Sequence, residues 1–215
     1  MHCNGLDILT RPPRRSLSME KPFAPSCERN QGPILETIQP WLVNTTSVLE
    51  ISSGTGQHAV FLATAMPHLI WQTSDLAECH EGINAWINES GLSNIKAPLS
   101  LDALDNWPAI GQFDAVFISN SLHIMSKEAV ASLFKNLPKV LQPKSQLCIY
   151  GPFNIDGQFT SESNANFEQW LKDRDPRSGI RDLEWIIELA ELANLSFCEA
   201  VDMPANNKLL RFLAK

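Results

Sequence analysis

The sequence predicts an α/β domain with a doubly wound, mainly parallel sheet of seven strands that ends in a C-terminal antiparallel strand. Short β-rich segments alternate with helical segments at least four times along the chain, a pattern typical of a parallel sheet covered by helices on both faces. The last two strands are joined by residues 203–207 only, a link too short for a parallel crossover, so one strand at the end runs antiparallel.

Local patterns predict each element in turn. Short β-rich segments are predicted to be buried strands. The first helix is predicted to begin at Gly32-Pro33, and later helices are predicted to end at proline or glycine, as at Pro67 and Gly91. The predicted strands span residues 47–51, 69–73, 96–101, 113–118, 146–150, 196–201 and 209–214. The predicted helices span residues 32–41, 58–66, 77–90, 127–137, 167–172 and 183–193.

Length and composition bound the class of protein. Residues 1–20 are predicted to be a disordered tail, with Met19 as a candidate natural start, and residues 21–215 to form the domain. A domain of this size buries roughly 70–75% of its unfolded surface and needs no metal or disulfide to fold. The five cysteines lack C-x-x-C spacing, which predicts reduced thiols in a cytoplasmic protein and no metal site.

Charge disfavours one kind of partner, and hydropathy predicts that the chain does not span a membrane. The net charge of -7 and the pI of about 5.2 argue against binding to nucleic acid, which needs clustered lysine and arginine. No apolar run reaches about 18 residues, so no membrane-spanning segment is predicted.

The loop from Glu50 to Gly56 is the first candidate binding site, because ligands of such sheets bind beyond the carboxyl ends of the strands. Ser52, Gly54 and Gly56 lie in this loop, and glycine lets a ligand approach the backbone closely. The following helix N-terminus suits a carboxylate, and Glu50 suits a cation or ammonium group. A plain glycine turn is the alternative interpretation.

Two acids follow the next two strands. Asp75 lies nineteen residues after Gly56, a spacing that places a carboxylate on ribose hydroxyls; a helix N-cap is the alternative. Asp102 ends the third strand and is a candidate acceptor for an exocyclic amine such as that of adenine, with a solvated loop acid as the alternative.

The fourth strand ends in Ser119-Asn120-Ser121-Leu122-His123, where a transferred group meets its acceptor in doubly wound enzymes. Asn120 is a candidate to orient an acceptor or the ammonium of a donor. His123 is a candidate general base, since an unperturbed histidine pKa lies near 6.5. A hydrogen-bonded structural histidine is the alternative.

The segment from Gly54 to Ala59 also fits the G-x-G-x-x-A form of NAD-binding folds. Three features favour an amine-bearing ligand instead: the acid at Glu50, the roughly 45 residues before the first strand, and the predicted closing hairpin.

At these residues the chain resembles the class I S-adenosylmethionine-dependent methyltransferase superfamily. The resemblance implies a Rossmann-like methyltransferase fold, S-adenosylmethionine as donor and S-adenosylhomocysteine as product. More closely, residues 28–215 resemble the methyltransferase-like protein 26 family, a domain-of-unknown-function family whose acceptor, a small molecule or a protein, is not established. The matching segments are residues 28–35, 54–59, 71–75, 94–99, 150–153, 179–182 and 202–208. Ser121 and Arg177-Ser178 depart from the pattern and are expected on the acceptor side.

Polar residues outside the regular elements suggest a lid over the donor pocket. Arg29, Asn30, Arg181, Asn206 and Asn207 are far apart in sequence and are hypothesised to converge there, with Asn30 on the donor and Arg181 clamping a carboxylate or phosphate. Helix capping and turn formation are the alternatives.

These observations lead to one principal functional hypothesis and two alternatives. The principal one is a methyltransferase that acts by in-line methyl transfer, for which a general base is not required. The alternatives are a non-catalytic S-adenosylmethionine-binding module that regulates a partner, and an NAD-dependent oxidoreductase.

Overall fold

The computed structural model describes residues 21–215. The predicted tail and the hypothesis on Met19 lie outside the described residues. Among the helices within residues 21–215, none combines the length and the apolar character needed to cross a membrane.

The described residues form six α-helices and nine strands. The helices are α1 Pro25–Ile38, α2 Gln57–Ala65, α3 His80–Ser90, α4 Lys127–Val140, α5 Glu162–Arg174 and α6 Leu183–Leu192. The strands are β1 Ser47–Ile51, β2 Ile70–Asp75, β3 Ile95–Ser100, β4 Phe113–Ser119, β5 Leu141–Gly151, β6 Phe153–Asn154, β7 Arg181–Asp182, β8 Leu195–Met203 and β9 Asn207–Ala214. Short 3-10 turns precede α3 at Ala77–Cys79 and join the last two strands at Pro204–Asn206.

Seven strands form one sheet in the order β3-β2-β1-β4-β5-β9-β8. The pairs from β3 to β5 are parallel, and β9 runs antiparallel to both β5 and β8. The predicted fold class is therefore confirmed. Strand order reverses between β1 and β4, and this switch point is where such sheets open a crevice for ligands.

Several element boundaries differ from the prediction because packing overrides local propensity. The first helix begins at Pro25, where a proline in the first turn lacks only an N–H that would be free anyway, and it continues through Pro33 because Ile34 and Ile38 are buried beyond it. Likewise, α4 runs through Pro138 to the buried Val140. The last α-helix before the closing hairpin ends within one residue of its predicted bound.

A second sheet of two short parallel strands, β6 and β7, was not predicted. Each strand has only two residues, too few to give a sequence pattern. Phe153 pairs with Arg181 and Asn154 with Asp182, so the segment between β5 and α6 folds back to the carboxyl edge of the main sheet. This segment, residues 152–182, forms one wall of the site described below.

Two apolar clusters cover the two faces of the main sheet. Successive residues of β1 alternate between them: Leu49 packs with Phe134 of α4 and Ile186 of α6, whereas Val48 packs with Trp71 and with α1 and α2. All of these side chains are at most 1% exposed. The helices are therefore fixed against the sheet from both sides, and the loops at its carboxyl edge start from rigid strand ends.

Replacing Phe134 by alanine is expected to lower the free energy of unfolding by about 3–5 kcal/mol, because the side chain is 1% exposed and its removal leaves a cavity in the core. The matched control is Leu192→Ala, at a side chain that is 85% exposed, for which a change within about 0.5 kcal/mol is expected. Urea unfolding checks both values. Equal losses in the two variants would contradict the described packing.

Candidate functional site

A cleft of about 640 Å³ opens at the carboxyl edge of the sheet, where the strand order reverses. Its walls come from the N-terminus of α1, from the loops after β1 to β4, and from the segment after α5. The lining residues are Ala24, Ser26, Cys27, Ile51, Ser52, Ser53, Gly54, Thr55, His58, Asp75, Leu76, Cys79, Leu101, Asp102, Ala103, Leu104, Ser119, Asn120, Ser121, Ile124, Met125, Ser126, Ala129, Asp175 and Arg177.

The loop after β1 is tied to the end of β2 by backbone hydrogen bonds. Ser53 N donates to Ser74 O at 2.9 Å, and Gly54 N donates to Asp75 Oδ2 at 2.7 Å. Gly54 adopts φ 60°, and nothing lies within 4 Å of the position that a Cβ would take there. The backbone at Gly54 therefore faces open space in the cleft, as a closely approaching ligand requires.

Gly56 has a different role from the one predicted. It adopts φ 89°, and a Cβ at this position would lie 3.1 Å from Ile83 Cα and 3.3 Å from Trp86 Cβ, both in α3. Gly56 does not line the cleft. The glycine allows α2 and α3 to pack closely, so the prediction that it contacts a cofactor is corrected to a packing role.

The two predicted acids lie in the cleft. Asp75 is 8% exposed, and its Oδ1 accepts from Leu76 N at 2.7 Å while its Oδ2 holds the Gly54 N–H. It does not cap the following 3-10 turn, for which Leu76 is the N-cap residue. Asp102 Oδ1 accepts from Leu104 N at 2.9 Å. Both carboxylates keep unused lone pairs that can accept further hydrogen bonds.

The structure does not place Glu50 in the cleft. Its side chain lies on the opposite face of β1, where Oε2 accepts from Trp71 Nε1 at 2.9 Å, and the residue is 2% exposed. Burial raises the pKa of this carboxyl to about 7. The predicted direct contact between Glu50 and a cationic ligand is therefore corrected: Glu50 lies beneath the donor-loop candidate rather than facing a ligand.

Asn30 also lies outside the cleft lining. Its Oδ1 is 2.7 Å from His58 Nε2, and because the amide oxygen only accepts, Nε2 carries the proton. Burial lowers the pKa of His58 to about 4. This neutral pair fixes α1 onto the start of α2, so Asn30 positions the helix whose first turn lines the cleft.

The loop after β4 lines the cleft with Ser119, Asn120 and Ser121. Asn120 adopts φ 54°, a left-handed conformation that asparagine tolerates better than most residues. His123 does not line the cleft; its ring packs edge-on against Phe167 with centroids 5.3 Å apart. Burial and the nearby charge of Arg181 lower its pKa to about 4. This placement favours the structural interpretation of His123 over the general base.

Arg181 is a buried cross-link between loops and not an exposed clamp. It is 3% exposed, and its guanidinium donates to Leu122 O at 3.1 Å, to Met125 O and to Arg177 O at 3.1 Å. These bonds hold the loop after β4 against the segment before β7. The hypothesis that Arg181 binds a carboxylate or phosphate is corrected accordingly.

The prediction that polar residues converge into a lid over the cleft is wrong, because Arg29, Asn206 and Asn207 do not line it. Asn206 Nδ2 donates to Ser163 Oγ at 3.0 Å and Asn207 Nδ2 to Pro204 O at 3.1 Å, which are turn contacts. Within residues 21–215, no three His, Cys, Asp or Glu side chains cluster as metal ligands would.

Several residues of the cleft are not predicted from the sequence. Among them are Asp175, Cys27 and Cys79, all of which line the cleft. Ser121 and Arg177, which belong to the two departures from the resemblance, also line the cleft, whereas Ser178 does not. The departure at residues 177–178 and the matching segment at residues 179–182 are the sequence signals for the segment after α5, which has no periodic pattern of its own.

The buried Glu50 predicts a pH-dependent stability. Because its pKa in the folded state, about 7, exceeds the ordinary 4.5, its contribution is fully present below pH 4.5 and is lost as pH rises through about 7. Glu50→Gln keeps an oxygen for the Trp71 N–H and is expected to remove this loss of about 3 kcal/mol. Urea unfolding midpoints between pH 5 and pH 8 measure this loss of stability. Glu28→Gln, at an exposed position, is the control and is expected to keep the wild-type pH dependence. The same slope in Glu50→Gln as in the wild type would refute the assignment.

Solved structures with a similar fold include three described as O-methyltransferases. A protein from Burkholderia thailandensis aligns with TM-score 0.73 and 16% identity over 86% of this chain and 58% of its own. A family 2 protein from Planctomyces limnophilus, in complex with apigenin, aligns with TM-score 0.76 and 16% identity over 88% and 58%. NcsB1 from neocarzinostatin biosynthesis, in complex with S-adenosylmethionine and 2-hydroxy-5-methyl naphthoic acid, aligns with TM-score 0.73 and 16% identity over 88% and 55%.

These alignments establish the fold, and the chain spans between half and three fifths of the length of each of the three proteins. At the level of sequence, residues 21–214 match the family described as "Protein of unknown function (DUF938)". The match covers nearly all of the described residues. The chain therefore belongs to the DUF938 family.

Proposed function

We propose that the chain is an S-adenosylmethionine-dependent methyltransferase. The observation that carries the proposal is the convergence of Ser52, Gly54, Asp75, Asp102 and Asn120 on one cleft at the switch point of a sheet with methyltransferase strand order. The neighbouring structure described with bound S-adenosylmethionine supports the proposal through the fold it shares with this chain.

The residues present fit such a donor. The open backbone at Gly54 and the start of α2 suit the methionine carboxylate, because a helix N-terminus offers free N–H groups and a partial positive charge. Asp75 accepts from ribose hydroxyls, and Asp102 from the adenine amine. Leu76 and Leu104, both in the lining, give the adenine ring an apolar surface.

S-adenosylmethionine supplies a methyl group that is already activated by a positively charged sulfur. The chain's own residues then align and desolvate the two reactants, which lowers the barrier to methyl transfer. His123 lies outside the cleft, and burial lowers the pKa of the cleft-lining His58 to about 4, so neither histidine is a strong base near neutral pH. The proposed reaction therefore uses an acceptor that needs no strong base from the protein.

The finer assignments are part of the same proposal. We infer kinship with the methyltransferase-like protein 26 family from the resemblance of residues 28–215, a cytoplasmic location from the reduced cysteines, and a small molecule or protein as acceptor. The net charge of -7 argues against a nucleic acid acceptor.

A non-catalytic donor-binding module is the second candidate, because the residues that fit the donor would bind it whether or not an acceptor is methylated. Release of S-adenosylhomocysteine from S-adenosylmethionine in the presence of acceptor mixtures separates the two. An oxidoreductase is the weaker alternative, because β9 runs antiparallel between β5 and β8 and dinucleotide-binding sheets of the usual type are parallel.

Donor binding is tested with a matched pair of glycine variants. Both Gly54 and Gly56 have positive φ, so alanine strains both, but only Gly54 faces open space in the cleft. Gly54→Ala is expected to weaken S-adenosylhomocysteine binding at least about tenfold by blocking the ligand's approach. Gly56→Ala is expected chiefly to destabilise the fold by pushing α3 away. Calorimetric titration and thermal unfolding measure the two effects.

Asp75→Asn provides an independent check of the same site. It removes the charge that binds ribose hydroxyls and leaves an acceptor for only one of the Gly54 and Leu76 N–H groups, so binding is expected to weaken at least about tenfold. Wild-type protein that binds NAD but not S-adenosylhomocysteine at millimolar concentration would overturn the proposal.

A further inference from the structure

One end of the cleft carries a charged pair that the donor site does not use. Arg177 and Asp175 lie in the segment between α5 and β7 and line the cleft together with Ser121 and Ile124. Among the described residues that line the cleft, Arg177 is the only lysine or arginine. The opposite end holds Asp75 and Asp102, so the cleft is acidic on its donor side and presents a cation on its acceptor side.

Hydrogen bonds to the loop after β4 fix the position of this pair. Gly179 N donates to His123 O at 2.8 Å, and Ser178 Oγ donates to Ile124 O at 2.9 Å. The buried Arg181 donates to Arg177 O at 3.1 Å and to Leu122 O at 3.1 Å. The backbone at Arg177 is therefore held against the loop that forms the acceptor side, although the Arg177 side chain itself is 76% exposed.

The guanidinium of Arg177 already binds a carboxylate from its own chain. Nε donates to Asp175 Oδ1 at 3.1 Å and Nη2 to Asp175 Oδ2 at 2.8 Å, the two-bond arrangement that arginine forms with carboxylates. Asp175 and, more weakly, Glu128 stabilise the charged guanidinium and raise the pKa of Arg177. Because both groups are exposed to solvent, an incoming carboxylate competes with Asp175 at low cost.

The surroundings of the pair are mostly apolar. Ile124, Met125 and Ala129 line the cleft beside it, and Ile124 is 52% exposed. An exposed apolar surface next to a single cation suits a ligand with an apolar body and one anionic group. The guanidinium of Arg177 already holds a carboxylate, that of Asp175, by two hydrogen bonds, so a carboxylate fits that group.

We propose that the acceptor is a small apolar molecule that carries a carboxylate, that Arg177 binds this carboxylate, and that Asp175 competes with it from within the chain. This inference rests on the proposed methyltransferase function. It makes Arg177 a specificity-determining residue and Arg181 a positioning residue that holds the Arg177 backbone.

The test uses benzoate as probe and benzamide as its neutral isostere, each titrated by NMR into protein saturated with S-adenosylhomocysteine. Benzoate is expected to bind about tenfold more tightly than benzamide, because only benzoate offers the guanidinium a charged partner. Arg177→Gln is expected to abolish that difference. Asp175→Asn keeps the local turn and is expected to strengthen benzoate binding severalfold by removing the internal competitor.

The matched control is Arg174→Gln, which makes the same change in net charge at an arginine that lies over the Trp170 ring, 4.6 Å from its centroid, and not in the cleft lining. It is expected to leave benzoate binding unchanged. Equal binding of benzoate and benzamide, no binding of either, or equal losses in Arg174→Gln and Arg177→Gln would overturn the inference.

S-adenosylhomocysteine is titrated first, so that failure of the proposed function can be distinguished from failure of the acceptor inference. Protein that binds S-adenosylhomocysteine but shows no preference for benzoate retains the proposed function and loses only the carboxylate acceptor. If S-adenosylhomocysteine does not bind, both proposals are rejected, since the acceptor inference requires a donor site.

Discussion

The candidate site depends on one hydrogen bond, from Gly54 N to the carboxylate of Asp75, at 2.7 Å. It joins the loop after β1 to the end of β2. The positions of Gly54 and Asp75, both predicted to bind the donor, therefore depend on each other. Ser53 N to Ser74 O adds a second link between the same strands. Because β1 and β2 are fixed in parallel register by a core that is buried on both faces, the loop starts from a rigid support.

The other end of the cleft depends on the buried Arg181. Its guanidinium donates to backbone carbonyls of the loop after β4 and of the segment after α5. In the same segment, Ile180 N donates to Glu168. These bonds order a segment that has little regular structure. Loss of Arg181 would leave the buried carbonyl of Leu122 without this donor, at a cost of about 1–3 kcal/mol. Thus the proposed donor side is held by strand ends, and the proposed acceptor side by a cross-link through one side chain.

The alternation of strands and helices and the cleft residues that follow strands directly could be predicted, because alternating patterns locate strand ends and parallel strands share one edge. Ser52, Gly54, Asp75, Asp102 and Asn120 all follow this rule. Glu50 was predicted to face a ligand but does not line the cleft. Side chains alternate along β1, and Glu50 lies on the same face as Val48. Arg177 and Asp175 depend on contacts between loops, which leave no periodic pattern in the sequence.

A crystal structure of the protein grown with S-adenosylhomocysteine tests the central claim most directly. The ligand is expected in the cleft at the switch point, with ribose hydroxyls within hydrogen-bonding distance of Asp75, the amino acid end at Ser52 and Gly54, and the adenine near Asp102. The sulfur is expected to point towards Asn120 and Ser121. Ligand bound elsewhere, or with its ribose away from Asp75, would contradict the assignment of this cleft as a methyl-donor site.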